Sequence, residues 1–254
     1  MPERTSYVPG TPSWVDLGSP DTAASAAFYG SLFGWIAEFD ERPEAGGYGM
    51  FTLRGKTVAG LGPQMNMDMP PFWACYVTVA NVEDTARTVT ANGGQVVAGP
   101  MQIFDAGRMA VFMDPNGTFI SAWQPDQHIG SELVNEPGTF GWNELASNDI
   151  EKSNAFYTSI FPWEISPGSD TGTIYAVDGN IVCGAHPANE GEFPAWSVWF
   201  GADDCDAAAA KATELGGAVV MPPMDMDFGR GAMVADPHGA VFGIAAVKPE
   251  MLAD

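Results

Sequence analysis

The sequence predicts an α+β protein built from four βαβββ modules arranged as two tandem halves. Three observations carry this expectation. Ser13-Trp14-Val15-Asp16-Leu17, with Ala27-Phe28-Tyr29 and Phe33-Gly34-Trp35 after it, returns half a chain later as Gly141-Trp142-Asn143-Glu144-Leu145, Ala155-Phe156-Tyr157 and Phe161-Pro162-Trp163, and so long a period means duplication. Hydrophobic periodicity inside each half runs strand, helix, three strands, and then repeats. The turns repeat as well: Asn92-Gly93-Gly94, Gly107-Arg108 and Asp114-Pro115-Asn116-Gly117 are answered by Leu215-Gly216-Gly217, Gly229-Arg230 and Asp236-Pro237-His238-Gly239.

Taken in order, residues 1–10 read as a loose arm and residues 12–18 as an alternating strand. Ser19-Pro20-Asp21 supplies a helix start with its cap, and Ala23, Ala27 and Phe28 fall at helical spacing before Gly34 stops the run. Three short strands follow at 35–39, 48–53 and 56–61, separated by the 43–47 loop and the Arg54-Gly55 turn. The second module has a strand at 73–79, a helix over about 82–91, and strands near 95–103, 108–113 and 118–123. A third module opens at Phe140 and a fourth at Trp196. Residues 63–71, rich in Met and Pro, link the first two modules, and residues 124–138 link the halves. The expected domains are residues 11–125 and 138–248.

Composition limits the partners. Of 254 residues only ten are Lys or Arg, and the formal net charge is -22, so nucleic acid and anionic membrane surfaces are repelled. Such acidity serves solubility or a cavity tuned for cations. Cys75, Cys183 and Cys205 show no CxxC spacing, as expected of reduced thiols in a cytoplasmic protein. No run of about eighteen apolar residues occurs, and the first ten residues lack a signal-peptide core. The expectation is a soluble cytoplasmic monomer or homodimer whose partner is a small molecule.

The FY pairs at Phe28-Tyr29 and Phe156-Tyr157 and the two DPxG turns carry a resemblance. Over roughly residues 11–247 the chain resembles the vicinal oxygen chelate superfamily, which includes glyoxalase I, bleomycin-resistance proteins, extradiol dioxygenases and fosfomycin-resistance enzymes. It is most similar to double-length actinobacterial members often labelled glyoxalase-like or hydroxylase. The resemblance implies two tandem glyoxalase-like domains, each pairing two modules around a cleft, and in metal-using members it implies His, Gln or Glu ligands on the first and last strands of each module. Counting from the FY and DPxG marks, those positions are Trp14, Ala74, Trp142 and Ser197 on first strands, and Ala59, Ser121, Cys183 and Gly243 on last strands. None is a His or a carboxylate. Several N or O donors must converge on a divalent ion, so the expectation is no metal and no cofactor.

Strand parity puts Asp16 on the face of Trp14, and Glu144 on the face of Trp142. A carboxylate on an apolar face has its pKa raised by desolvation, as a general acid or base near neutral pH requires. Asp16 and Glu144 are therefore the catalytic candidates; the alternative is a structural acid paired with Arg108 or Arg230. The same parity puts Tyr76 and Trp199 on the inner face, and Trp123 near the end of a last strand. With Trp14 and Trp142 these form aromatic walls suited to flat ligands, although core packing accounts for the same residues. His186 ends a strand and could shuttle protons to the second cleft. His128 lies in the linker, and His238 in a turn that should be exposed. Two functions fit. One is metal-independent binding of an aromatic or cationic compound, of the sequestration or resistance type. The other is a cofactor-free lyase, isomerase or hydrolase using Asp16 or Glu144. A third arrangement gives activity to the second half alone.

Overall fold

The computed structural model of the chain describes residues 3–166 and 172–248. The first half holds β1 (Pro12–Ser19), α1 (Thr22–Phe33), β2 (Ile36–Phe39), β3 (Gly49–Leu53), β4 (Lys56–Pro63), β5 (Phe72–Thr78), α2 (Val82–Ala91), β6 (Gln95–Ile103), β7 (Gly107–Met113) and β8 (Phe119–Pro125). The second half repeats this order with β9 (Phe140–Ser147), α3 (Ile150–Ile160), β10 (Glu164–Ser166), β11 (Thr173–Val177), β12 (Asn180–Pro187), β13 (Ala195–Gly201), α4 (Cys205–Glu214), β14 (Ala218–Met226), β15 (Gly229–Ala235) and β16 (Val241–Val247). Each helix starts alike: the carboxylate or amide of Asp21, Asn81, Asp149 or Asp204 accepts the backbone N–H three residues on. Such a cap is worth about 1 kcal/mol.

Each half closes into one sheet of eight strands, ordered β2-β3-β4-β1-β5-β8-β7-β6 in the first half and β10-β11-β12-β9-β13-β16-β15-β14 in the second. The modules of a half meet at its centre, where β1 runs antiparallel to β5, and β9 to β13. This is the expected architecture of four βαβββ modules in two tandem units. One face of each sheet turns toward the other half. There Val15, Leu17, Phe51, Trp73 and Cys75 of the first sheet share a continuous buried core with Leu145, Tyr175, Val198, Phe200 and Phe242 of the second. Asn143 on β9 donates its side-chain N–H to Cys75 Sγ on β5 at 2.9 Å. The opposite face of the first sheet carries a separate small cluster of Trp14, Tyr76 and Trp123.

The repeated motifs turn out to hold the halves together crosswise. Tyr29, of the first FY pair, donates its hydroxyl to Asp236 Oδ2 in the second half's DPxG turn at 3.1 Å, and Tyr157 donates to Asp114 Oδ2 at 3.0 Å. Each hydroxyl also accepts an indole N–H, from Trp73 at 3.0 Å and from Trp196 at 2.9 Å. The other oxygen of each aspartate accepts two amides of its own turn, Asn116 and Thr118 for Asp114, His238 and Ala240 for Asp236. Both carboxyls are buried and fully partnered, as burial demands.

The expectation of a loose arm is corrected. The arm is docked: Arg4 N–H donates to Glu132 O, the Tyr7 hydroxyl to Ser131 O, and Trp163 Nε1 to Gly10 O. The 124–138 linker joins the halves as expected and is packed down, with Ser131, Leu133 and Val134 buried. Its apolar side chains, and its backbone paired with β1, β4 and the arm, fasten it to the sheet. His238 is half-buried rather than exposed, since its backbone is drawn in by Asp236.

Tyr29→Phe removes one hydroxyl and strands both the Asp236 oxygen and the Trp73 N–H in the core. At about 1 to 3 kcal/mol for each of these two stranded groups, urea denaturation of this variant is expected to show a loss of about 2 to 6 kcal/mol. Because the core crosses the halves, both should still unfold in a single transition.

Candidate functional site

In the first half, β1 and β5 present Trp14, Asp16, Ala74 and Tyr76 on the face turned away from the core, with Trp14 paired to Tyr76 and Asp16 to Ala74. Trp14, Tyr76 and Trp123 form a buried floor, and Met50, Ile103, Ala106 and Met109, partly exposed, stand around it. Asp16 Oδ2 accepts two phenol hydroxyls, Tyr76 at 3.0 Å and Tyr48 at 3.2 Å. Trp14 Nε1 in turn donates to the Tyr48 hydroxyl at 3.2 Å. Asp16 Oδ1 has no hydrogen-bond partner among the described residues. Burial pushes the Asp16 carboxyl up to about 6, although the Tyr76 and Tyr48 hydrogen bonds pull the other way. Burial, and then the charge of Asp16, hold both phenols well above their ordinary range, so these hydroxyls stay protonated donors.

A residue of the linker completes this cleft. The His128 imidazole meets the Trp14 indole edge-on at 4.4 Å and the Trp123 indole at 5.7 Å, and Trp123 Nε1 donates to His128 O at 2.8 Å. Burial lowers the His128 pKa to about 4, with Glu132 opposing; the ring is neutral at physiological pH.

The second half uses the same strand positions differently. Trp142 Nε1 donates to Glu144 Oε2 at 2.5 Å, and Glu144 Oε1 lies 3.3 Å from His186 Nδ1. The other ring nitrogen, Nε2, is 3.2 Å from Glu192, whose Oε2 accepts both N–H groups of Asn189. The hydrogen bond to Glu144 raises the His186 pKa; burial opposes and Glu192 adds to the rise. For Glu192, burial would raise the pKa, but the Asn189 donors and His186 outweigh it and the net shift is downward. Trp199 donates to Ser197 Oγ at 3.1 Å and lies edge-on to Phe228 at 5.9 Å. Its indole covers Gly243 so closely that any side chain there would collide with it.

A reciprocal exchange explains the difference. Tyr48 and Gly62 of the first half occupy the places of Gly172 and His186 in the second, by register from Asp16↔Gly60 and Glu144↔Gly184. The Tyr48 ring lies over Gly60 and Gly62, where a Cβ would strike it. In the second half the small residue sits on the neighbouring strand, and His186 rises from the other side toward the acid. From this pair of positions a phenol reaches the acid in the first cleft, and an imidazole reaches it in the second.

Each candidate from the sequence can now be located. Trp14, Asp16, Tyr76 and Trp123 are gathered on one face of the first sheet; Trp142, Glu144, His186 and Trp199 gather on that of the second. The suggested arginine partners are wrong. Arg108 pairs with Glu83, and Arg230 with Asp206 and Asp225, all at the surface, because the GR turns open β7 and β15, and two other strands separate each of these from β1 or β9. The count for middle last strands also slipped by one residue: Ala59 and Cys183 belong to the buried core, and Gly60 and Gly184 face the clefts. Sequence reasoning missed Tyr48 and His128. Alternation of Tyr48 with Met50 leading into β3 could have revealed the first; His128 sits in an aperiodic linker and gave no signal.

A pair of eight-stranded sheets, each made from two βαβββ modules around a cleft, defines the class as glyoxalase-like. The Glyoxalase/Bleomycin resistance protein/Dioxygenase superfamily pattern matches residues 11–121 and 137–244, and the chain belongs to that family. A provisionally named glyoxylase, CFP32, from Mycobacterium tuberculosis is 39% identical over 98% of this chain and 100% of its own length. The anthracycline biosynthesis protein DauV from Streptomyces sp. strain C5 is 36% identical, covering 96% of both chains. Among solved structures, the Mn(II)-bound glyoxalase from Novosphingobium aromaticivorans superposes with a TM-score of 0.67 at 15% identity, over 96% of this chain and 83% of that one. The 2,3-dioxygenase LapB from Pseudomonas sp. KL28 gives 0.65 at 13% identity over 96% of each. At such identities these two structures attest to the fold alone.

The metal that some members of this fold hold does not suit the residues present. Each cleft offers one acid on its first strand, facing Ala74 or Ser197, with Gly60 and Ser121 or Gly184 and Gly243 at the last-strand places. Among the described residues no three His, Cys, Asp or Glu side chains converge as a metal ion requires. His186 has both nitrogens turned to carboxylates, and the Trp199 ring fills the space above Gly243.

Asp16 titrates higher in the folded chain than in the unfolded one, so its contribution to stability is fully present below the ordinary carboxylate range and is lost as pH rises through about 6. The gap in stability between wild type and Asp16→Asn, measured by urea denaturation from pH 4 to pH 8, should therefore shift against wild type across that window. A flat difference would mean the carboxyl is not buried as described.

Proposed function

We propose that the protein binds a planar small molecule in the first-half cleft without a metal, its aromatic floor meeting the ligand's face and Asp16 meeting a cationic or hydrogen-bond-donating group. The observation that carries this reading is Asp16 itself. It is anchored through one oxygen by Tyr48 and Tyr76 beside Trp14, and its other oxygen is left for a ligand. Aromatic walls with a few convergent polar groups are the usual make-up of small-molecule sites. Glu144 is less free: one oxygen is held by Trp142 and the other faces His186. Two Streptomyces relatives named for anthracycline biosynthesis add support, since anthracyclines are flat fused-ring compounds. A role in sequestration or resistance fits a site that binds and does not transform.

A second reading follows from the Asp16 carboxyl standing at about 6. A group so poised can both take and give a proton near neutral pH, which favours a cofactor-free lyase, isomerase or hydrolase. Its neighbours would keep the acid in place while the ligand stacks on Trp14.

Titration of tryptophan fluorescence with planar aromatic compounds separates the two. If the site only binds, Asp16→Asn weakens a cationic planar probe by about 1 to 3 kcal/mol, the scale of a lost charge-assisted hydrogen bond, and spares a neutral one. If it catalyses, binding survives and turnover drops at least about a hundredfold. Unchanged binding and turnover would reject both. Equilibrium dialysis with Mn(II), Ni(II) or Zn(II) checks the metal-free part: one equivalent bound by wild type and lost in Asp16→Asn or Glu144→Gln would overturn it.

A further inference from the structure

We propose that His128 is a ligand-contacting residue of the first cleft, and that the ligand it serves is a hydroxylated planar aromatic compound. This rests on the reading that the first cleft binds a small molecule, and it adds a residue and a chemical class. Residues 126–128 are folded back over the cleft by backbone bonds. Asp126 and His128 N–H both donate to Ala106 O, at 2.9 and 3.0 Å, and Gln127 N–H donates to Asp105 O at 3.2 Å. Trp123 Nε1 fixes the His128 carbonyl from below. The imidazole is thereby pressed against the Trp14 and Trp123 indoles as a cap on the aromatic floor.

Within this cap His128 Nε2 is buried and has no hydrogen-bond partner. Glu132 exerts a charge effect on the ring but makes no hydrogen bond to Nε2: its Oε2 accepts from the Thr57 backbone and hydroxyl, and its Oε1 pairs with Lys56. A stranded ring nitrogen costs about 1 to 3 kcal/mol that an apolar ring of the same shape would avoid. Packing alone therefore does not account for histidine here. The second half has Ala245 at the place of Trp123, by register of β15 with β16 and β7 with β8, so the indole that anchors the cap belongs to the first cleft.

A flat ring entering between cap and floor separates His128 from Trp14 and supplies the missing partner. The first cleft then offers two open polar atoms over one aromatic floor, His128 Nε2 and Asp16 Oδ1. The imidazole is neutral, with one donor and one acceptor nitrogen. A ligand hydroxyl satisfies Nε2 in either tautomer, whereas a carbonyl satisfies only the protonated one. Asp16 Oδ1, when ionised, accepts only, and a hydroxyl suits it too. Both edges of the site thus select hydroxyl groups on a planar ring system.

Fluorescence titration of wild type and His128→Phe with 2,6-dihydroxyanthraquinone, whose hydroxyls are free of internal hydrogen bonds, and with unsubstituted anthraquinone tests the proposal. Wild type should bind the dihydroxy compound about tenfold or more tightly than anthraquinone, the worth of one good hydrogen bond. His128→Phe should lose most of that preference, the remainder resting on Asp16 Oδ1, keep its affinity for anthraquinone, and melt at a higher temperature without ligand because the stranded nitrogen is gone. Equal loss of both compounds, no loss of preference, or a lower melting temperature would overturn the role of His128 while leaving binding in the first cleft intact. If wild type binds neither compound, the binding reading for this cleft falls and the proposal falls with it.

Discussion

The structure depends on two crossed hydrogen bonds between a tyrosine of one half and an aspartate of the other. Tyr29 reaches Asp236 and Tyr157 reaches Asp114, deep in an apolar core. In water such a bond contributes little, but inside the core each group would be costly alone. A helix of one half is thereby fixed against a turn of the other, at two symmetric places. Tyr29 is surrounded by Trp35, Phe51, Trp73 and Phe242, rings drawn from both halves, so displacing either half leaves both polar and aromatic groups without partners. The duplicated motifs are the fastening.

Fastening the core faces together leaves the other face of each sheet free for a cleft, and the two clefts are not copies. Exchange of Tyr48 and Gly62 for Gly172 and His186 changes which side of the acid carries the hydrogen-bonding group. In the first cleft the acid faces neutral phenols, so burial dominates and its proton is held up to about pH 6. In the second, an imidazole lies between two carboxylates and gains basicity from them. Duplication supplied one scaffold twice, and a change of size at two facing positions made two electrostatic environments from it.

Among the described residues, the side chains lining each cleft do not supply the converging donors that a metal ion needs. Aromatic rings and small residues occupy the faces on which several ligands would have to converge, and a single acid remains in each. A carboxyl alone on an aromatic floor is suited to hydrogen bonding and proton exchange with an organic ligand. Its oxygen on the open side is what distinguishes Asp16 from Glu144.

Module order, the duplication and the faces of the first strands are legible in the sequence. Helices over Thr22–Phe33 and Val82–Ala91 follow from capping residues and periodicity, and Trp14 with Asp16 from alternation, all of them local properties of the backbone. What it could not determine was which groups meet across the fold. Strand pairing decided that Arg108 and Arg230 stand on strands separated from β1 and β9 by two others, out of reach of the acids, and that Gly60 rather than Ala59 faces the cleft, since one residue of register reverses every side chain. Only tertiary structure brought Tyr48 to Asp16, folded the aperiodic linker so that His128 caps Trp14, and crossed the FY pairs with the opposite DPxG turns. These contacts join residues from 32 to 207 positions apart, and no local pattern encodes the partner of a side chain at that separation.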